Sequence, residues 1–286
     1  LPAQHSPLSY IDEGTIVFEI PKANVERYMV YAEDLWNRTE HQPNVLYAPV
    51  GENVRGEVIG INFSSSDTPH LLIAGTTGSG KSVALESILR GLCHYYDPDQ
   101  LQLSLIDPKG TELESFEGDP HLMQPIGGFA DDAIVILEEA IEEMQRRYKI
   151  LREHRVRDIS AYKQNNSGGG NLPWRMLVLD EYADLTSDKE DRRVIESLLR
   201  RLAQKARACG IHVIVATQKP AAEIISTTIR SNLPAQLALR VSTATDSRII
   251  MDENGAESLA GAGDAFLKTA RGKVRIQCAM LRSDTR

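Results

Sequence analysis

An apolar run, Leu71-Leu72-Ile73-Ala74, ends in a glycine-rich loop, Gly75-Thr76-Thr77-Gly78-Ser79-Gly80, and Lys81-Ser82 then opens a helix-prone segment. This is the P-loop pattern Gly-x-x-x-x-Gly-Lys-Ser in the strand-loop-helix context that confirms it. No other feature constrains the fold as much. The loop N–H groups can cradle phosphates only where a strand delivers them to a helix N-terminus. Gly75 and Gly80 permit backbone angles and approaches that a Cβ would block. Residues Gly75, Thr76, Thr77, Gly78, Ser79, Gly80, Lys81, Ser82 and Val83 are therefore the candidate nucleotide-binding set. Lys81 is expected to reach the β- and γ-phosphates of ATP, and the Ser82 hydroxyl to ligate Mg²⁺.

The 286 residues suffice for one large α/β domain, or for a domain with an accessory piece. The 42% apolar and 25% charged fractions are ordinary for a soluble globular protein. Cys93, Cys209 and Cys278 have neither metal spacing nor an even-numbered disulfide framework, so buried thiols in a reducing, cytoplasmic setting are expected. No apolar run approaches the roughly 18–20 residues of a membrane span, and no signal peptide is visible. No membrane contact is expected of this segment. The chain opens Leu1-Pro2-Ala3-Gln4, without Met, which suits a piece of a longer polypeptide. A formal net charge of −8 argues against a uniformly nucleic-acid-binding surface but permits a local basic channel.

Along the chain, residues 1–13 read as a loose tail. Residues 14–66 read as a small N-terminal α/β extension: a strand over 14–20, a helix from Ala23 to Asn37, a loop from Gln42 to Pro49 and a strand over 56–63. Residues 67–286 read as the main domain. Its expected strands are Leu101 to Asp107, Met176 to Glu181, Ile211 to Gln218 and Gln236 to Val241. A helix is expected from Asp131 to Glu153, where Ile134, Leu137, Ile141, Met144, Tyr148 and Leu151 recur at steps of three and four. A basic helix should run from Arg192 to Ala208, and Asn165 to Asn171 should be a surface loop. Strands alternating with helices imply a mostly parallel sheet covered on both faces.

The strand Met176-Leu177-Val178-Leu179 ends in Asp180-Glu181. Ligands sit at the carboxyl ends of parallel strands, so Asp180 is the candidate Mg²⁺ acid and Glu181 the candidate base for the attacking water. Gln218, ending the next strand, is placed either to sense the γ-phosphate or to cap the strand.

Longer matches make a family visible. They are Pro69-His70 running into the P-loop, Ile106-Asp107-Pro108-Lys109, Asp180-Glu181-Tyr182-Ala183-Asp184-Leu185, Arg201-Leu202-Ala203-Gln204-Lys205-Ala206-Arg207 and Gly210-Ile211-His212. Ala216-Thr217-Gln218-Lys219-Pro220, Asp246-Ser247-Arg248, Gly255-Ala256-Glu257-Ser258-Leu259 and Gly263-Asp264 complete them. The chain resembles the motor domain of the FtsK/SpoIIIE family of double-stranded DNA translocases. The resemblance implies a RecA-like core, a ring of six subunits with double-stranded DNA through its centre, and room for further subunits or domains outside this chain. It also implies that Arg207 enters the neighbouring subunit's ATP site, where a guanidinium stabilises charge on the transferring phosphoryl group. One departure is Ala244, which stands where relatives carry a Lys two residues before Asp-Ser-Arg. The membrane-anchored N-terminus and winged-helix tail of chromosome-dividing relatives are not visible here, so recognition of a particular DNA sequence is not expected.

Lys219, Arg230 and the cluster Arg192, Arg193, Arg200 and Arg201 are candidate phosphate contacts, because a sliding motor favours the DNA backbone over the bases. A solvated helix face paired with Glu190 and Glu196 explains the cluster equally well. Three functions remain open: a DNA-translocating ATPase in chromosome transfer, conjugation or defence; a related ATPase that drives protein secretion; and a non-catalytic nucleotide-gated clamp.

Overall fold

The computed structural model describes residues 8–12, 15–19, 28–42, 44–165 and 172–282. A two-stranded antiparallel ribbon, β1 (Leu8–Asp12) and β2 (Thr15–Glu19), comes first. Residues 8–12 thus pair as a strand within the stretch expected to be a loose tail. Helix α1 is Ala32–Arg38, later than the expected start at Ala23, and residues 20–27 lie outside the described set. Helix formation waits for Ala32 because the chain just before it is held extended: Tyr31 bridges Met280, and Ala32 N–H donates to the Met280 carbonyl.

The remaining strands form one nine-stranded sheet. They are β3 (Tyr47–Asn53), β4 (Val58–Asn62), β5 (Leu71–Ala74), β6 (Leu101–Ile106), β7 (Trp174–Leu179), β8 (Ile211–Thr217), β9 (Ala235–Leu239), β10 (Asp264–Thr269) and β11 (Gly272–Cys278). The run β9-β5-β8-β7-β6 is parallel, as the alternation of strands and helices predicts. An antiparallel wing, β10-β11-β3-β4, extends it. β3 arises inside the expected loop over Gln42 to Pro49 and continues to Asn53. Both β3 and β4 belong to the same sheet as the P-loop strand.

The parallel strands are mostly apolar because helices cover both faces. β5 and β8 are buried at every position. The helices are α2 (Lys81–Tyr95), α3 (Ala130–Glu153), α4 (Ile159–Asn165), α5 (Tyr182–Leu185), α6 (Lys189–Lys205), α7 (Thr227–Asn232) and α8 (Ala244–Met251). The expected stripe of α3 is the buried face: Leu137, Ile141, Met144 and Leu151 are buried, while the Tyr148 hydroxyl donates to the Lys205 carbonyl. Of the expected loop over Asn165 to Asn171, residues 166–171 lie outside the described set.

One buried charge fixes the end of the sheet away from the P-loop. Arg147, 1% exposed, donates to Glu143 through Nε at 2.7 Å and to the Pro173 and Cys209 carbonyls through Nη1 at 2.7 and 2.8 Å. Beside it, neutral His212 contacts the Pro69 carbonyl and His70 accepts from Val213 N–H. Burial drives their pKa values down to about 4 and about 3. The Pro69-His70 and Gly210-Ile211-His212 motifs are therefore one structural joint between β5 and β8.

Burial would raise the Glu143 pKa, but hydrogen bonds from Arg146 and Arg147 and the charge of Arg175 outweigh it and bring it to about 2. An acid with a depressed folded pKa stabilises the fold above its ordinary value and loses that contribution as pH falls toward the folded one. Urea midpoints of wild type should therefore drop between about pH 4.5 and pH 2 in part through this group. Glu143→Gln should be less stable at pH 7 and lose less over that window; parallel curves for the two proteins would contradict this.

Candidate nucleotide site

Helix α2 starts directly after Gly80, whose φ of +100° places it in the left-handed region. A Cβ there would lie 2.6 Å from Gly263 N. A Cβ on Gly75 would lie 2.6 Å from Ser79 Oγ and 2.8 Å from Leu239 Cβ. Both glycines are thus required by close approach. The loop is also tied from outside. Gly75 and Thr76 N–H donate to the Thr217 and Arg240 carbonyls, and Gly263 N–H donates to the Ser79 carbonyl at 2.8 Å. This tie explains the Gly263-Asp264 motif, whose Asp264 is salt-bridged to Arg275 at 2.8 Å. The first N–H groups of α2, at Lys81, Ser82 and Val83, have no acceptor within the helix and face the loop's concavity.

Opposite the loop stands the tip of β7. Lys81, 3% exposed, pairs with fully buried Asp180 and lies 3.1 Å from Glu112 Oε2. Burial raises the Asp180 pKa to about 6 against the pull of Lys81. Its second oxygen, Oδ2, is buried without a hydrogen-bond partner, as is Ser79 Oγ. A buried carboxylate with one oxygen on Lys81 and the other unsatisfied is the kind of ligand a divalent cation requires. Asp180 and Ser82 therefore fit Mg²⁺.

Glu181, 1% exposed, has φ +41°, a strained value for a non-glycine residue. The surrounding groups account for its aim. Oε1 accepts from Thr217 Oγ1 at 3.0 Å and Gln218 N at 3.2 Å, and Oε2 accepts from Lys109 Nζ at 2.8 Å. Gln218 spans the site: its Oε1 accepts from Thr77 Oγ1 at 2.9 Å and its Nε2 donates to Glu112 Oε1 at 2.9 Å.

Arg207 is elsewhere. It lies in a 3-10 turn, Ala206–Cys209, at the start of β8, whereas the nucleotide residues gather at the end of β8. Seven extended residues separate the two by about 20 Å. Its Nε donates to the Ser64 carbonyl at 3.2 Å, and it lines a cavity of about 390 Å³ with Ser64, Arg157, Asp158 and Trp174. It cannot reach the P-loop of its own chain.

The candidate DNA contacts divide. Lys219 is well exposed, with Asp184 at 3.4 Å. Arg230 is not free: it binds the Arg248 and Ile249 carbonyls and Asp252 at 2.8 Å, closing the C-terminus of α8. Arg192 likewise donates to the Thr186 and Glu223 carbonyls. Both guanidiniums are structural, while Arg193, Arg200 and Arg201 remain exposed.

Sequence reading missed Glu112 and gave Lys109 no role. Both sit on the loop after β6, which Asp107 shapes by accepting four backbone N–H bonds at 2.8–3.0 Å, from Lys109, Gly110, Glu112 and Leu113. The acid ending the strand was the available signal.

Phosphate loop, acidic strand tip and parallel sheet together define a P-loop nucleoside-triphosphatase with a RecA-like core. The FtsK/SpoIIIE family model matches residues 32–222, and the chain belongs to that family. DNA translocase FtsK of Streptococcus pyogenes serotype M3 (strain SSI-1) is 38% identical over 285 residues, 95% of this chain and 35% of that protein. DNA translocase SftA of Bacillus subtilis (strain 168) is 39% identical over 274 residues, 93% and 28% of the two chains. The chain thus spans about a third of the length of these curated relatives. The pCW3 conjugation coupling protein TcpA, solved as a monomer with ATPγS, superposes with a TM-score of 0.78 at 26% identity over 98% of this chain and 78% of that one. The cytoplasmic domain of the type VII secretion ATPase EccC from Thermomonospora curvata gives 0.74 at 27% identity over 87% and 30%.

Gly80→Ala should keep the fold by circular dichroism yet weaken nucleotide binding at least ~10-fold, because the added methyl must push the loop off Gly263. Fluorescent ADP titration reads this directly, and unchanged affinity would contradict the assigned loop geometry.

Proposed function

We propose that this chain is an ATP-hydrolysing motor segment that moves double-stranded DNA as part of a ring, and that it acts in the cytoplasm. The observation that carries the reading is the division of one catalytic set between the two ends of β8. Phosphate loop, metal acid and base gather at one end, and the charge-stabilising Arg207 stands about 20 Å away at the other. Such a site is completed by a second copy of the chain.

In this reading the α2 N-terminus and loop N–H groups hold the phosphates, and Lys81 neutralises their charge. Ser82 and Asp180 would hold Mg²⁺, which would supply neutralisation of phosphate charge. Glu181, kept in place by Thr217 and Gln218, accepts the proton of the attacking water. Gln218 connects the loop to the wall carrying Glu112. Arg207 of the neighbouring copy stabilises the charge on the transferring group. The ring is taken to be a hexamer. Lys219 and the exposed arginines of α6 are the candidate DNA contacts, and further domains of a longer polypeptide would supply anchoring and orientation.

Family membership and the identity to FtsK and SftA support DNA as the moved polymer. The TcpA likeness favours conjugative transfer, and the EccC likeness favours the second reading, protein secretion; both are at lower identity than FtsK and SftA. A defence role rests on no comparison.

The deciding measurement is ATP hydrolysis with and without long linear duplex DNA, across protein concentration and salt. Stimulation that rises steeply with protein concentration and falls with salt is expected; hydrolysis indifferent to DNA would favour the secretion reading. Glu181→Gln should bind ATP and fail to turn it over. Arg207→Ala should bind ATP normally with turnover reduced on the order of 10³-fold; full turnover would refute completion in trans.

A further inference from the structure

The site contains a third carboxylate, besides Asp180 and Glu181, bonded to residues assigned above to the nucleotide and its metal. Glu112 accepts from Ser82 Oγ, from Lys81 Nζ at 3.1 Å and from Gln218 Nε2 at 2.9 Å. These are the donors that a bound nucleotide and its metal require from this chain. Its two oxygens divide them as two phosphate oxygens would: Oε2 faces Lys81 and Ser82, and Oε1 faces Gln218.

The arrangement is built. The Glu112 N–H is held by Asp107 Oδ2 at 2.8 Å, and the next residue, Leu113, is 1% exposed and anchored in the core. The Glu112 side chain is 13% exposed, so little solvent screens it from the cations it faces.

We infer that Glu112 is an internal stand-in for phosphate, which occupies Lys81, Ser82 and Gln218 in the empty site and competes with an incoming nucleoside triphosphate for them. Resting on the ATP reading of the site, this adds a determinant of which form of the nucleotide enters. A metal-free triphosphate brings negative charge against a carboxylate that is already bonded to the same donors. Magnesium at Ser82 and Asp180 offsets that repulsion, so Glu112 biases the site toward the metal complex. Glu112 also gives Lys81 a second carboxylate partner, beside Asp180, when no nucleotide is present.

The test is binding of ATPγS by the wild-type chain, Glu112→Gln and Glu112→Ala, with Mg²⁺ and again in EDTA. Displacement of a fluorescent ADP is the readout, and thermal melts confirm that each variant folds. Competition predicts that both variants bind metal-free ATPγS roughly tenfold or more tighter than wild type, because a like charge has been removed. With Mg²⁺ the gap should narrow. Equal or weaker metal-free binding by folded variants would overturn the inference and make Glu112 a supporting ligand. Wild-type binding of ATPγS with Mg²⁺ shows that the nucleotide reading stands while Glu112 is judged; absence of binding by all three proteins overturns both. Binding by the variants alone would be competition in its strongest form.

Discussion

The site is organised around one buried ion pair, Lys81–Asp180, whose side chains are 2% and 0% exposed. Removing two charges from water costs several kcal/mol per ion, and only good geometry with further hydrogen bonds offsets it. The fold meets that requirement by joining two local structures. A strand-loop-helix delivers Lys81, and the tip of β7 delivers Asp180, two strands away across the parallel sheet. The sheet order β5-β8-β7 therefore fixes the width of the gap in which the pair forms. β8 lies between and contributes Thr217 and Gln218, which orient Glu181.

Features encoded within a few residues were legible in the sequence. The P-loop needs only consecutive residues, and so does the acidic tip of β7. The long stripe of α3 is likewise a local periodicity. Features fixed by distant partners were not legible. Glu112 meets Ser82 across 30 positions, through a loop shaped by Asp107. The Arg230 guanidinium reads as a free cation until α8 is seen to end against it. The start of α1 is set by pairing with Met280, at the far end of the chain. The β10–β11 hairpin lay between these cases. Val274, Ile276 and Cys278 alternate with polar residues after a short turn, a period-two signal that was present and went unread.

The electrostatics of the site point one way. Three carboxylates face two lysines: Asp180 and Glu112 share Lys81, and Glu181 takes Lys109. Lys81 pulls both acids down, but burial outweighs it at Asp180 and raises that pKa, whereas at Glu112 the hydrogen bond from Ser82 and the pull of Lys81 outweigh burial. Such divergence of neighbouring titratable groups is characteristic of sites prepared for charged ligands. The structural arginines are different in kind. Arg147, Arg192 and Arg230 spend their donors on backbone carbonyls, where a fork of N–H groups closes ends that no helix or strand satisfies.

The tie between Gly263 and Ser79 has a mechanical consequence. The phosphate loop is fastened on both shoulders, by Thr217 and Arg240 on one side and Gly263 on the other. Gly263 introduces β10, whose partner β11 leads into β3 and β4. A load applied to that antiparallel wing is therefore transmitted to the phosphate pocket through main-chain bonds, with no side chain to slacken it. Any displacement of the wing at Gly263 would shift the carbonyl of Ser79, and with it the floor of the pocket.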